Sequence, residues 1–402
     1  MSVKELSARI HAVSIMRDLL EDEVIKALTA FLDIPKQAER NTKIDAYARF
    51  VHALYESGTE NLSEYVRKIV FESENIYVQK KGRGDELSKV LQNSLCEDLK
   101  TFNLLAALSP ELLKKEIGDC DFLPLWVNSK TDIEKDYLKR VDSIEKYGFG
   151  IYAKYRMFYI NEDYAITPVK NPDNTRLDEL IDYKSEQQII VDNTKALLCG
   201  KPAANILLTG DAGTGKSSTI KAVVNELYEE GLRIIEVRKE QLHGIPGILD
   251  RLSENPLKFI LFIDDLSFAK DDDNFSALKA ILEGSVSAKS RNVAIYATSN
   301  RRHLVKENFS DREGDDVHFN DTMQELLSLS ERFGIQLTFN RPDKSIYLDI
   351  VHNLADKHGI QYNKEKIDVA AERFALKRGT RSARAAKQFI DGIIAGDNGD
   401  IV

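Results

Sequence analysis

The sequence predicts an α/β fold with a five-stranded parallel core, carried between an all-helical N-terminal region and a small helical C-terminal one. Five short apolar runs, ANILLT, LRIIEV, KFILFID, VAIYATS and IQLTF, are separated by helical or long connections. That is the pattern of buried parallel strands joined by crossover helices. The eight residues after the first run, GDAGTGKS, match the phosphate-loop pattern G-x-x-x-x-G-K-[ST] at every specified position. On both flanks of the core, apolar residues recur at helical rather than strand spacing.

The N-terminal region, 1–147, reads as helix after helix, with apolar positions such as Leu87, Val90 and Leu91, then Leu104, Leu105 and Leu108, expected to face a core. The Gly-rich segment KKGRGDE at 80–86 breaks two of these helices. Over 148–178 the pattern changes to alternating aromatics, YAKYRMFYI and YAITPV around Asn161, Glu162 and Asp163, which predicts a β-hairpin and linker. The α/β nucleotide-binding domain is expected at 179–341. A helical domain follows at 342–402, with Tyr347, Ile350, Val351 and Leu354 on one helix face.

Composition narrows the class without choosing an activity. The chain has 402 residues, 43% of them hydrophobic and 30% charged, as in ordinary globular proteins with two or three domains. A net charge of -9 argues against a globally basic nucleic-acid binder, although a local basic stripe would suffice for that purpose. Cys96, Cys120 and Cys199 form no CxxC pair, so neither a disulfide framework nor a zinc site is suggested, and a reducing cytoplasm fits. The charge-interrupted N-terminus lacks a signal-peptide core, and no apolar run approaches the roughly 20 residues that span a bilayer. The seven histidines show no metal-ligand spacing.

In a phosphate loop, Gly210, Asp211, Ala212, Gly213, Thr214, Gly215, Lys216, Ser217 and the neighbouring Ser218 curl so that backbone N–H groups point at phosphate oxygens. Lys216 would reach the β- and γ-phosphates of ATP, and the Ser217 hydroxyl would ligand Mg2+. The alternative is a glycine turn without a ligand. At the end of FILFIDD, Asp264 is the expected magnesium carboxylate and Asp265 the residue that positions the attacking water. Otherwise the two acids merely cap the next helix.

Together GDAGTGKSS, FILFIDDLSF, IYATSNRRHL and LSERFGIQLTF resemble the bacterial "domain of unknown function 815" ATPases, a branch of the AAA+ superfamily. The similarity covers about 150–402 and the helical N-terminal third less clearly. It implies a P-loop NTPase fold of AAA+ type, with the last helical domain acting as a lid. It also implies roles for residues outside the phosphate loop. Asn300 would be the sensor-1 residue beside Asp265, or a polar cap. Arg332 would be the arginine finger that reaches a neighbouring subunit's ATP, or a surface ion pair. Arg381 in GTRSAR would be the sensor-2 contact, with Arg384 as runner-up. Tyr183, with Ile181 and Asp182, lies where adenine is cradled, although Asp182 replaces a common glycine. Asp265 is one methylene shorter than the glutamate many AAA+ ATPases carry. Arg301, Arg302 and His303 would relay nucleotide state or pair with nearby acids.

The implied activity is ATP hydrolysis by a homo-oligomer, a hexameric ring being one such arrangement, that remodels a protein client recruited by the helical region. A second reading is an ATP-gated nucleic-acid-binding switch like the initiators and helicase loaders, which the cations Arg373, Lys377, Arg378, Arg381, Arg384 and Lys387 would serve. A third is a nucleotide-binding scaffold with negligible hydrolysis. None of the three involves a membrane.

Overall fold

A computed structural model of the chain describes residues 2–118, 120–267, 273–283, 291–300 and 329–396. The chain divides into two compact units, Met1–Lys154 with Asn255–Leu257, and Tyr155–Glu254 with Lys258–Val402.

The first unit is helical. Its helices are α1 (Val3–His11), α2 (Glu23–Leu32), α3 (Arg40–Glu56), α4 (Leu62–Glu72), α5 (Ile76–Arg83), α6 (Lys89–Ala106), α7 (Pro110–Ile117), α8 (Ile133–Asp142), α9 (Ile144–Tyr147) and α10 (Ile151–Lys154). Local chemistry sets their ends: the Asp22 carboxylate accepts the N–H groups of Val24 and Ile25 at the start of α2, and Asn75 does the same for Tyr77 and Val78 of α5. The predicted break falls after Arg83, where Gly84 closes α5 in the left-handed conformation at φ 79°. Leu105 and Leu108 are buried, and Leu87, Leu91 and Leu104 pack partly against the core. Val90 is a correction: it is 76% exposed, while Leu87, just before α6, and Leu91, in its first turn, are the residues that pack partly against the core.

The second unit is built on a seven-stranded sheet: β1 (Met157–Ile160), β2 (Ile166–Pro168), β3 (Ile206–Gly210), β4 (Leu232–Glu236), β5 (Lys258–Ile263), β6 (Val293–Ser299) and β7 (Ile335–Phe339). Their order is β2-β1-β4-β5-β6-β3-β7. All five runs singled out in the sequence are strands, and all neighbours are parallel except β1 and β2. Strand β3 is buried at every position, as its uninterrupted apolar run requires. The aromatic hairpin is real but shorter than YAKYRMFYI, since residues 151–154 are helical. Its turn is held by Asn161 Oδ1, which accepts the N–H groups of Asp163 and Ala165. Strand β1 then pairs in parallel with β4, so the hairpin extends the sheet rather than standing apart as a linker.

Helices α11 (Lys184–Leu198), α12 (Lys216–Leu227), α13 (Ile245–Ser253) and α14 (Asp273–Glu283) accompany the strands. Beyond β7 come α15 (Lys344–Lys357), α16 (Lys364–Arg378) and α17 (Ala383–Ile394), a small helical lid with its own core of Tyr347, Val351, Ile367, Ala371, Ala386 and Ile390. The fold is thus an α/β parallel-sheet core with an α-helical N-terminal region and a C-terminal helical lid. No helix among the described residues is long and apolar enough to cross a membrane. Cys96, Cys120 and Cys199 are free thiols.

Candidate functional site

The site forms where β3 turns into α12. Gly210 ends the strand at φ 135°, and a Cβ there would lie 2.0 Å from the Phe339 carbonyl oxygen of β7. Only glycine allows the loop to leave the sheet that close to its neighbour strand. Gly210→Ala is therefore expected to cost about 3 kcal/mol from left-handed strain and overpacking together, read as a lowered Tm in thermal unfolding. At Gly213, φ 80°, an added Cβ would meet Arg384 Cβ at 3.1 Å and Ser382 Oγ at 3.2 Å. The lid rests directly on the loop here, and the Arg384 N–H donates to the Gly213 carbonyl at 3.3 Å.

Lys216 opens α12 and is buried. Its Nζ donates to the carbonyls of Gly210 (3.0 Å) and Asp211 (2.8 Å) and to Asn300 Oδ1 (3.0 Å). Burial pulls its pKa below the ordinary lysine value, against the opposing charges of Asp211, Asp264 and Asp265. Arg341, in the connection from β7 to the lid, pairs with Asp211 at 3.2 Å.

Asp264 and Asp265 follow β5. Asp264 Oδ1 accepts from Ser217 Oγ (2.6 Å), Thr298 Oγ1 (2.5 Å) and the Asp265 N–H (3.2 Å). Asp265 sits at φ 53°, the left-handed region an aspartate tolerates better than most residues, and its Oδ1 accepts from Asn300 Nδ2 at 2.7 Å. Neither acid acts as a helix cap in these bonds. Asn300 thus joins the Lys216 ammonium to the Asp265 carboxylate.

Most of these groups line one cavity of about 960 Å³, within the range of small-molecule sites, although Gly210, Asp211 and Arg341 do not. One wall is the phosphate loop, with Ala212, Gly213 and Gly215 to Ser218. A second holds Asp264, Asp265, Thr298 and Asn300, and the lid adds Ile350, Leu354, Arg384, Lys387 and Ile390.

Other expected residues lie elsewhere. Tyr183 and Thr214 line a narrower adjoining cleft with Ile181, Asp182 and Ile350. The Tyr183 ring packs on Phe339 with centroids 4.4 Å apart, its hydroxyl bonds the Asn340 carbonyl, and burial pushes its pKa up. Arg381 does not line the cavity: both ends of its guanidinium fork are held by Glu372, at 2.9 and 2.8 Å. That bidentate pair satisfies Arg381 within the lid, and Arg384, three residues on, takes the place beside the loop. Arg332 is also absent from the cavity wall and donates through Nε to Glu283 at 2.9 Å. Arg301, Arg302 and His303 lie outside the described residues. Sequence reasoning missed Thr298, Arg341 and the cavity position of Lys387. Thr298 stands inside the end of β6, two residues before Asn300, and its part in the site shows only once β6 is paired with β5.

A phosphate loop after one central strand, acids after the next strand but one, a polar residue ending the strand between them and a helical cap define a P-loop NTPase fold of AAA+ type. The chain belongs to the family described as "Protein of unknown function (DUF815)", whose model matches residues 152–397. Among solved structures, it is similar to the Thermotoga maritima RuvB Holliday junction branch migration motor. The two are 14% identical over 54% of this chain and 71% of that one, with a TM-score of 0.34, a likeness too slight to add to what the sheet order defines. No curated protein matches the chain.

Proposed function

We propose that this chain binds Mg-ATP in the 960 Å³ cavity and hydrolyses it as part of a homo-oligomer that remodels a protein client. One observation carries the reading: Lys216, Asn300, Asp265, Asp264 and Ser217 form a continuous chain of hydrogen bonds at the mouth of the phosphate loop. A buried cation, a hydroxyl and two carboxylates at one point suit a polyanion that arrives with a divalent metal.

The donor set fits magnesium. Ser217 Oγ and Asp264 supply hard oxygens 2.6 Å apart, and magnesium sites in such enzymes use one or two protein oxygens completed by phosphates and water. Among the described residues, no group of three His, Cys, Asp or Glu side chains competes as a metal site. When bound, the ion would neutralise charge on the β- and γ-phosphates.

The chain's own residues do the rest. Lys216 would exchange its loop carbonyls for phosphate oxygens, and the loop N–H groups would cradle the phosphates. Asp265, held by Asn300, would accept a hydrogen bond from the attacking water and aim it in line. Arg384 and Lys387 would close the lid over negative charge. Ile181 and Tyr183 would border the base. Of the six lid cations that favoured a nucleic-acid switch, Arg381 is spent on Glu372 and two line the cavity, so the basic face is smaller than the sequence suggested.

Asp264→Asn is expected to raise the Mg2+ concentration needed for tight ATP binding by about 10- to 100-fold, since a neutral amide is a poor ligand for a hard cation. Calorimetric titration at several Mg2+ concentrations measures this. If only turnover fell, Asp264 and Asp265 would exchange roles. For the client, an affinity pull-down with Asp265→Asn, designed to hold ATP without hydrolysing it, should recover one protein; recovery of DNA would favour the switch instead.

A further inference from the structure

Parallel pairing between β5 and β6 runs to Ile263 opposite Ala297. Beyond it, a single residue of β6 takes over the chain leaving β5. Thr298 Oγ1 donates to Asp264 Oδ1 at 2.5 Å and accepts the Asp265 N–H at 3.0 Å, while the Thr298 carbonyl accepts the Leu266 N–H at 2.7 Å. The Thr298 side chain is buried, with 2% of the residue exposed. We infer that Thr298 is a positioning residue that orients the Asp264 carboxylate toward the metal and holds Asp265 in its left-handed conformation.

A threonine hydroxyl has one proton to give and lone pairs to accept with. Here the proton goes to Asp264, so the oxygen is left to receive the Asp265 N–H. The two bonds together fix one carboxylate and turn the next residue out of the strand direction, at φ 53°. Asp264 Oδ1 then has three donors, Ser217 Oγ, Thr298 Oγ1 and the Asp265 N–H. Oδ2 accepts from none of the described residues, so it is the oxygen left for a cation or for water bound to one. The strand itself is anchored behind Thr298. Two residues earlier on the same face, the Tyr296 hydroxyl bonds Thr194 Oγ1 at 2.8 Å and Asn193 Nδ2 at 3.0 Å, both on α11. Buried, satisfied networks of this kind hold their members rigidly, and partners behind a metal ligand commonly set the affinity of the site.

The inference rests on the Mg-ATP reading, and its test separates the two. ATP affinity is titrated calorimetrically in excess EDTA and across a Mg2+ series for wild type, Thr298→Val and Thr298→Ser. Thr298→Val keeps the shape and removes the hydroxyl. It should raise the Mg2+ requirement by about 10- to 100-fold and leave the EDTA affinity unchanged, because phosphate contacts come from the loop. Thr298→Ser, which keeps the hydroxyl, should stay close to the wild-type Mg2+ requirement. Thr298→Ala removes the same hydroxyl with less bulk and should show the same split, which guards against a valine that fits poorly. A wild-type Mg2+ requirement in Thr298→Val, or equal losses with and without metal that serine does not rescue, would overturn the role. Absence of ATP binding by the wild type would instead overturn the nucleotide reading, and this inference with it.

Discussion

Arg332→Ala is expected to leave ATP affinity unchanged and to slow hydrolysis by about 10³- to 10⁵-fold, the scale of an arginine supplied in trans to a transferring phosphoryl group. Within one chain Arg332 makes no contribution to the cavity. Its guanidinium donates to Glu283 and its side chain is only 26% exposed. On the proposed shared-site reading, this planar guanidinium would leave Glu283 and act on the nucleotide of the neighbouring subunit. Specific activity should therefore rise with protein concentration as subunits assemble. Mixing Arg332→Ala with Lys216→Ala, each inactive alone, should restore part of the ATPase, because a mixed interface pairs one intact phosphate loop with one intact arginine. Full activity in Arg332→Ala, or a flat specific activity from monomer to oligomer, would leave Arg332 as an ion pair with Glu283 worth about 1 kcal/mol or less.

Lys216→Ala is expected to weaken ATP binding by about 10²-fold. The lost contacts are charge-assisted, and about 3 kcal/mol for a cation facing phosphate oxygens corresponds to that factor. The Nζ already occupies the centre of the loop with three acceptors at 2.8 to 3.0 Å, so binding replaces existing partners and needs no new side-chain placement. Displacement of a fluorescent ATP analogue measures the loss. Wild-type affinity in the variant would place the phosphates elsewhere.

The five core strands and the phosphate loop were legible because each is a local signal: an uninterrupted apolar run, or a glycine pattern whose backbone geometry admits no other residue. Asp264 was legible because it closes a buried strand. Thr298 was not singled out, since its role depends on β6 lying beside β5, a pairing between segments some 30 residues apart. Arg381 and Arg384 differ for a similar reason. They lie three positions apart in a basic stretch, and only the position of Glu372 on α16 decides which one is engaged within the lid. Val90 had the right spacing for a core position and the wrong side of its helix, which spacing alone does not distinguish at a helix end. The extension of the sheet by β1 and β2 was hidden because an aromatic hairpin reads the same whether it stands alone or joins a larger sheet.

If the cavity above the phosphate loop is a Mg-ATP site, ATP should bind there with an affinity that depends on Mg2+. Titrating ATP into the wild-type protein by calorimetry, with Mg2+ and then with EDTA, tests it most directly. One ATP per chain, bound more tightly with Mg2+ than without, is the predicted result. No saturable binding under either condition, or binding indifferent to Mg2+, would contradict it.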